Sequence, residues 1–355
     1  MGKILIAMSG GVDSSVAAAL LKQEGNTCLG VMLRLYENED AGLSRESACC
    51  SASDAEDARA VACRLGMPFY VFNFTEYFRE EVLGRFARCY ACGRTPNPCI
   101  DCNRYMKFGR LYERARVLGC DAVATGHYAR VEKTEDGWVL KKALDGTKDQ
   151  SYVLYRLTQD ELAHTRFPLG SLRKTETRAL AERFGLVTAR KRDSQDICFA
   201  PDGDYAAAVE RCLGRTFPPG PFVRADGTVL GEHRGLIRYT VGQRRGLGLP
   251  SGGRLYVTAL RPEENAVVVG GGDELLSRTL EAEDFHWISG KTPPAPFRAK
   301  AKIRYRHPEA ACTVTPGERV TVVFDEPQRA AAPGQSVVLY DGDVVLGGGT
   351  IVSGG

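Results

Sequence analysis

The chain has 355 residues, and 47 Lys and Arg against 44 Asp and Glu leave a formal charge of +3. At roughly 150 residues per domain this is two to three domains, and 43% hydrophobic with 26% charged content excludes a disordered or collagen-like chain. No apolar run approaches the ~18–20 residues of a membrane span, and Lys3–Met8 is too short for a secretory signal, so the expectation is no membrane and a cytoplasmic location.

Ile4–Met8 reads as a buried strand, and Ala and Leu then recur at helical spacing over Val16–Glu24 up to Gly25, a residue suited to the left-handed stop after a helix. Cys28–Tyr36 is a second strand. Ser53 and Glu56 have capping-box spacing ahead of a helix that ends at Gly66. Phe69–Phe74 is a third strand, Asn103–Leu118 a helix closed by Gly119, and Ala122–Gly126 a fourth strand. Alternating β and α units of this length predict a parallel sheet covered on both faces, with a site at the carboxyl ends of its strands. Thr158–Arg192 is helical and basic. From about Phe222, glycine-punctuated strands take over: Leu255–Leu260, Ala266–Val269, Phe297–Arg306, Arg319–Phe324, Ser336–Tyr340 and Val344–Leu346. They predict one or two small barrels. The Gly347–Gly349 and Gly354–Gly355 clusters read as a loose terminus, and Trp138 and Trp287 as core residues.

Between the first strand and helix lies Ser9-Gly10-Gly11-Val12-Asp13-Ser14-Ser15. Adjacent glycines allow a tight turn that aims N–H groups at an anion, and the helix adds its positive end and the serines their hydroxyls. A carboxylate at Asp13 within such a site suits a Mg²⁺ ligand or the partner of a phosphate-bound metal. No Gly-Lys-Ser/Thr follows, so this is not a Walker loop.

Twelve cysteines in a reducing compartment are expected to be catalytic, metal-binding or simply buried rather than bridged. Cys89, Cys92, Cys99 and Cys102 fall in one short segment ahead of the Asn103 helix, where a helix N-terminus lowers a thiol pKa. Cys198 follows the basic run Arg190, Lys191 and Arg192, which again favours thiolate. Two activated cysteines beside a nucleotide loop point to sulfur chemistry. Cys28, Cys63, Cys120, Cys212 and Cys312 read as inert thiols, and Cys49 and Cys50 receive no role.

The Ser9–Ser15 string resembles the PP-loop of ATP pyrophosphatases, an adenine nucleotide alpha hydrolase-like superfamily. Together with Ala124-Thr-Gly-His-Tyr128, Lys148-Asp-Gln-Ser-Tyr152, Tyr239-Thr-Val-Gly-Gln-Arg244, Lys302-Ile-Arg-Tyr305 and Gly334-Gln-Ser336, the chain is similar over nearly its whole length to tRNA-specific 2-thiouridylases. The resemblance implies an α/β fold with an N-terminal parallel-sheet PP-loop domain (1–200), a small central domain (201–272) and a C-terminal β-barrel touching tRNA (273–355). It implies that ATP, with Mg²⁺, activates O2 of the wobble uridine, and that a Cys198 persulfide, loaded by an upstream sulfur donor protein, delivers sulfur. Cys102 would then act as nucleophile and end in a disulfide with Cys198. By the same resemblance Ala7, Met8, Ser9, Gly10, Gly11, Val12, Asp13, Ser14, Leu33 and Gly126 hold ATP, with Asp13 counted as catalytic. Asn97, Pro98 and Cys99 approach the target base, and His127, Lys148, Asp149, Gln150, Arg304, Tyr305 and Gln335 contact tRNA.

One departure stands out. Other family members have Asp where this chain has Cys99, which leaves three possibilities open: bare thiols, a [4Fe–4S] cluster on Cys99, Cys102 and Cys198, or zinc on Cys89, Cys92, Cys99 and Cys102.

On a strand, Arg298, Lys300, Lys302, Arg304 and Arg306 would share one face, opposite Ala299, Ala301, Ile303 and Tyr305, as a stripe that tracks RNA phosphates. Two rivals remain: a PP-loop ligase acting on a small molecule, as argininosuccinate synthetase does, needs no paired cysteines, and a non-catalytic RNA-binding module needs no PP-loop.

Overall fold

The alternating units up to Arg166 build one parallel sheet. The computed structural model describes residues 2–37, 52–193, 197–200, 203–249 and 253–354. Strands Lys3–Ala7, Thr27–Arg34, Phe69–Asn73, Ala122–Ala124 and Thr165–Arg166 pair only in parallel, in the spatial order third, second, first, fourth, fifth. Side chains alternate as a strand requires: Leu5 and Val31 join one core with Phe78, Phe86 and Phe199, while Ile4, Ile6 and Met32 join the other with Val16 and Ala58. Because the order reverses at the first strand, a crevice opens outside the carboxyl ends of Lys3–Ala7 and Ala122–Ala124.

Two helix starts differ from the sequence expectation, for local reasons. The first helix begins at Val12 rather than Val16, because the Ser14 and Ser15 hydroxyls both donate to the Gly11 carbonyl, at 3.1 and 2.8 Å. The helix expected from Asn103 begins at Pro98: the Asn97 side chain accepts the Cys99 N–H at 3.1 Å, and proline supplies the φ of a first helical position. It runs on as a widened π-type stretch over Cys102–Arg110 and then as an α-helix over Leu111–Val117. Cys102 therefore lies beyond the first turn, and Cys99 takes the N-terminal place. Ser53 and Glu56 lie inside helix Ala52–Arg64 rather than ahead of it.

Six strands close the C-terminal barrel, in the ring order Leu276–Trp287, Val320–Arg329, Ala310–Thr315, Phe297–Lys302, Ser336–Asp341 and Val344–Gly354, with the last paired back to the first. The hairpin of Ala129–Thr134 and Gly137–Lys142 extends this sheet through Val344 and Val345 and so ties the barrel to the nucleotide domain. The Gly347–Gly349 run is not a loose end. It lies in the last barrel strand, where a Cβ on Gly347 would sit 2.2 Å from the His286 carbonyl and one on Gly348 would sit 2.8 Å from the Tyr155 ring. A central four-stranded sheet (Tyr256–Arg261, Ala266–Gly270, Gly220–Val223, Val229–His233) has its own core of Phe222, Tyr239, Val257 and Val267. Helix Tyr205–Leu213, just ahead of it, packs Ala206, Ala208 and Val209 into the nucleotide-domain core. Among the described residues no helix is long and apolar enough to cross a membrane.

Candidate active site

The crevice of the parallel sheet is lined by the glycine loop. Gly10 has φ +73°, and a Cβ there would stand 2.3 Å from the Asp54 carbonyl. A Cβ on Gly126, which follows the fourth strand, would stand 2.7 Å from the Ser14 nitrogen. Two backbones thus converge where only hydrogen fits, leaving a cradle for an anion at the helix N-terminus. The Ser14 and Ser15 hydroxyl hydrogens hold the Gly11 turn, and exposed Ser9 keeps a hydroxyl beside Ser14 at 3.3 Å. Val12 and Met8 are buried beneath the loop, and Leu33, with Ala7 packed against it, belongs to the core on the Phe78 side.

Asp13 is not alone in the loop. The Lys174 ammonium lies 2.7 and 2.8 Å from its two oxygens, and the Tyr128 hydroxyl donates to it at 3.0 Å. Lys174 opens helix Lys174–Arg183, anchored by its own N–H to Asp145 at 2.9 Å, and also pairs with Asp193 at 2.8 Å. Asp193 receives Lys148 at 2.9 Å and Arg178 at 2.8 Å. Burial raises the Asp193 carboxyl, but the Lys174 and Lys148 ammonium groups outweigh it and hold the group below the usual carboxylate range. Lys148 therefore sits at the base of the segment leading to Cys198. Residues 194–196 of that segment, with Cys49 and Cys50, fall outside the described residues. Lys191 is bound to Asp54 and Asp57, at 2.5 and 2.6 Å, so the basic run is partly neutralised before it reaches the cysteine.

A second group of predicted residues gathers at the Asn97 turn. Cys99 is reached by solvent, yet the crowding around it raises its thiol pKa against the pull of Lys107. The expected thiolate at this helix start is therefore not favoured: desolvation outweighs the Lys107 ammonium. Lys107 also lies 3.5 Å from His127 Nε2, and Thr125 Oγ1 lies 2.7 Å from Nδ1. Burial, helped by Lys107, holds the His127 imidazole well below its ordinary range, so it is neutral at physiological pH. An ammonium facing Nε2 makes that nitrogen the acceptor and leaves the proton on Nδ1, donated to Thr125. Phe108 and Phe167 flank the ring. Burial raises the Tyr305 phenol, and the Asp149 carboxylate adds to the rise.

Several predicted contact residues are engaged within the protein. Asp149 accepts the Ala143 and Ser151 N–H groups and the Ser151 hydroxyl, and Gln150 accepts the Tyr128 N–H at 2.9 Å. Arg304 donates to the Arg329 carbonyl at 3.2 Å. Gln335 donates to the Thr95 carbonyl at 2.7 Å, and the Thr95 N–H donates to Pro333, so barrel and Asn97 turn are stitched together. Pro98 is buried at the turn.

The five-cation stripe is not what the barrel presents. Period-two alternation ends with the strand at Lys302, and Arg304 and Arg306 follow in a turn. Arg298 makes a bidentate pair with Asp325, at 2.7 and 2.5 Å, and burial lowers the half-buried Lys302. Lys300 and Arg306 are the exposed remainder.

Cys102 and Cys198 are both half-buried and pack against the same core, with the Cys198 carbonyl taking the Tyr36 hydroxyl at 2.7 Å. Among the described residues, no three Cys, His, Asp or Glu side chains come together as a metal site. Neither the Cys99, Cys102 and Cys198 set nor the Cys89, Cys92, Cys99 and Cys102 set is gathered for iron or zinc. Cys28, Cys120 and Cys312 are buried as expected of inert thiols, whereas Cys63 is exposed.

Family models match along the chain: a tRNA methyl transferase HUP domain over residues 2–202, a tRNA methyl transferase PRC-barrel domain over 208–271 and an aminomethyltransferase beta-barrel domain over 277–351. The chain is 50% identical to the tRNA-specific 2-thiouridylase MnmA of Symbiobacterium thermophilum, over 98% of this chain and 92% of that protein. It is also 50% identical to that of Moorella thermoacetica, over 98% and 99% respectively, and 46% identical to that of Clostridioides difficile, over 98% of each. The chain belongs to the tRNA-specific 2-thiouridylase family. Within this member, sequence reasoning missed Lys174, Asp193 and Lys107, which meet the predicted residues only in three dimensions. It also missed Asp101, whose carboxyl burial raises to about 6 beside Arg85, Arg156 and Arg104.

Proposed function

We propose that this chain is an ATP-dependent tRNA uridine 2-sulfurtransferase acting at the wobble position, in the cytoplasm. The observation that carries the proposal is the placement of the glycine cradle at the sheet's switch point, one domain core away from two half-buried cysteines. Uridine O2 attacks the α-phosphorus of ATP, the bond to the β-phosphate oxygen breaks and pyrophosphate leaves. The backbone N–H groups of Gly10–Asp13 suit the triphosphate, and the Asp13 carboxylate would have to share its oxygens between Lys174 and the Mg²⁺ that accompanies it. Adenylation turns a poor leaving oxygen into AMP. The terminal sulfur of a Cys198 persulfide then adds at C2 and AMP departs. Cys102 thiolate attacks Cys198 Sγ, the S–S bond to the transferred sulfur breaks, and 2-thiouridine is released as a Cys102–Cys198 disulfide forms. The persulfide comes from an upstream sulfur donor protein, and a thiol reductant restores the pair. No step requires a metal cluster, and the cysteines are not arranged to hold one. A small-molecule ligase would leave the Asn97 turn, clamped by the barrel, without a role.

Nucleoside mass analysis of tRNA from a deletion strain complemented with wild type, Cys102→Ala or Cys198→Ala tests the proposal. Wild type restores 2-thiouridine and neither variant does. Full restoration by the double variant overturns the thiol route, and unchanged 2-thiouridine in the deletion strain overturns the activity.

A further inference from the structure

Beside the Asn97–Asp101 turn lies a cavity of about 280 Å³ whose walls come from both the nucleotide domain and the barrel. Cys99 is not part of it. Four guanidinium groups, Arg85, Arg88, Arg104 and Arg156, face two carboxylates, Asp101 and Asp284, so with both ionised the lining carries four minus two charges, a surplus of +2. Asp284 is shared by Arg156 at 2.7 Å and Arg104 at 3.6 Å, and Arg85 is held by Glu81 at 2.8 Å. Arg88, exposed at the mouth, makes no ion pair with the described residues. The Tyr105 ring also lines the cavity, with Arg85 over it at 4.6 Å and Arg104 at 5.0 Å, an arrangement that fixes both guanidinium groups in place.

We infer that this cavity binds a phosphodiester of the RNA next to the target uridine. Like charges concentrated in a half-open cavity call for an anion, and guanidinium forks match phosphate oxygens. The mouth is open, which suits one unit of a chain that continues beyond it. Asn97 both lines this cavity and caps the turn carrying Pro98 and Cys99, so its occupant adjoins whatever that turn meets. The inference rests on the proposed action on tRNA and adds to it a phosphate subsite.

The test pairs Arg88→Ala with anticodon stem-loops in which the phosphates flanking the wobble uridine are replaced, one at a time, by neutral methylphosphonates. Wild type should bind one such RNA about tenfold more weakly than the native RNA, the scale of a lost charged hydrogen bond. Arg88→Ala should lose about as much on native RNA, should be insensitive to that replacement, and should show a salt slope reduced by about one. Its thermal midpoint and ATP affinity should match wild type. If Arg88→Ala binds native RNA as wild type does, or loses affinity equally for every backbone, the subsite is overturned while tRNA thiolation stands. If wild type binds no stem-loop, both fall. Inorganic pyrophosphate should not compete at this subsite; competition abolished by Arg88→Ala would assign the cavity to a free anion and overturn the RNA assignment.

Discussion

The Lys174 ammonium bridges the two carboxylate oxygens of Asp13 at 2.7 and 2.8 Å, across 161 residues of sequence. The glycine loop holds no lysine of its own, and Lys174 brings one to it from the start of a later helix. Without that cation, Asp13 would face an incoming triphosphate with only the Tyr128 hydroxyl against it, while Asp193 would keep Lys148 and Arg178. Lys174→Ala is therefore expected to weaken ATP binding by about tenfold, the scale of one charged hydrogen bond. Lys174→Arg should restore part of the loss. Titration with a fluorescent ATP analogue reads the effect, and unchanged affinity in Lys174→Ala would show that Lys174 only braces the helix.

Two glycines are expected to tolerate no methyl group. At Gly10 and Gly126 the added carbon would meet backbone atoms 2.3 and 2.7 Å away, and backbone cannot swing aside as a side chain can. Gly10→Ala and Gly126→Ala should each abolish tRNA-dependent pyrophosphate release. Gly66→Ala is the control: it shares the positive φ of Gly10, at +59°, but its Cβ would meet nothing within 4 Å. It should cost about 1 kcal/mol of stability and leave pyrophosphate release intact. Equal activity in all three variants would remove the cradle from the mechanism.

Gln335 is expected to act on the target turn from a distance. Its side-chain amide donates to the Thr95 carbonyl at 2.7 Å and fixes the loop that leads into Asn97. Gln335→Ala should lower tRNA-dependent pyrophosphate release by about tenfold, the scale of one buried hydrogen bond with its orphaned carbonyl, while ATP affinity stays within about twofold. A fall in tRNA affinity alone, with the maximal rate preserved, would mean that Gln335 touches RNA and does not position the turn.

The glycine loop and the parallel sheet were legible because each is written locally, in one contiguous string and in strands that alternate with helices. The Lys174–Asp13–Asp193 bridge was not, since nothing near Lys174 marks it apart from the other cations of a basic helix. The Asn103 helix start was misplaced because Asn97-Pro98 reads as a loop until the Asn97 side chain is seen capping Cys99. Alternation on the barrel strand was legible only to Lys302, where the strand ends, and the Asp325 that neutralises Arg298 arrives from the next strand but one, Val320–Arg329. Glycines at 347–349 resemble a slack tail in sequence. The His286 carbonyl against Gly347, the Val337 carbonyl and Tyr155 ring against Gly348, and the Phe285 ring against Gly349 explain why side chains are excluded.

Asp101 gives the protein a pH dependence whose sign follows from its surroundings. Burial outweighs Arg85, Arg156 and Arg104, with Glu81 adding to the rise, and lifts the carboxyl from 3.8 to about 6. The folded protein therefore keeps this proton up to about pH 6, whereas the unfolded chain releases it near 3.8. Between those values the folded state binds more protons, so the stability contributed by the neutral acid is present on the acid side and is lost as pH rises through about 6. Asp101→Asn keeps a neutral group at every pH. Its thermal midpoint should exceed that of wild type at pH 8, and the gap should narrow as pH falls below about 6 and close only at about pH 4, where the unfolded chain also takes up its proton. Unfolding scans of both proteins across that range read the difference. A gap that is constant with pH, or that favours wild type at pH 8, would show that the three arginines hold Asp101 ionised throughout.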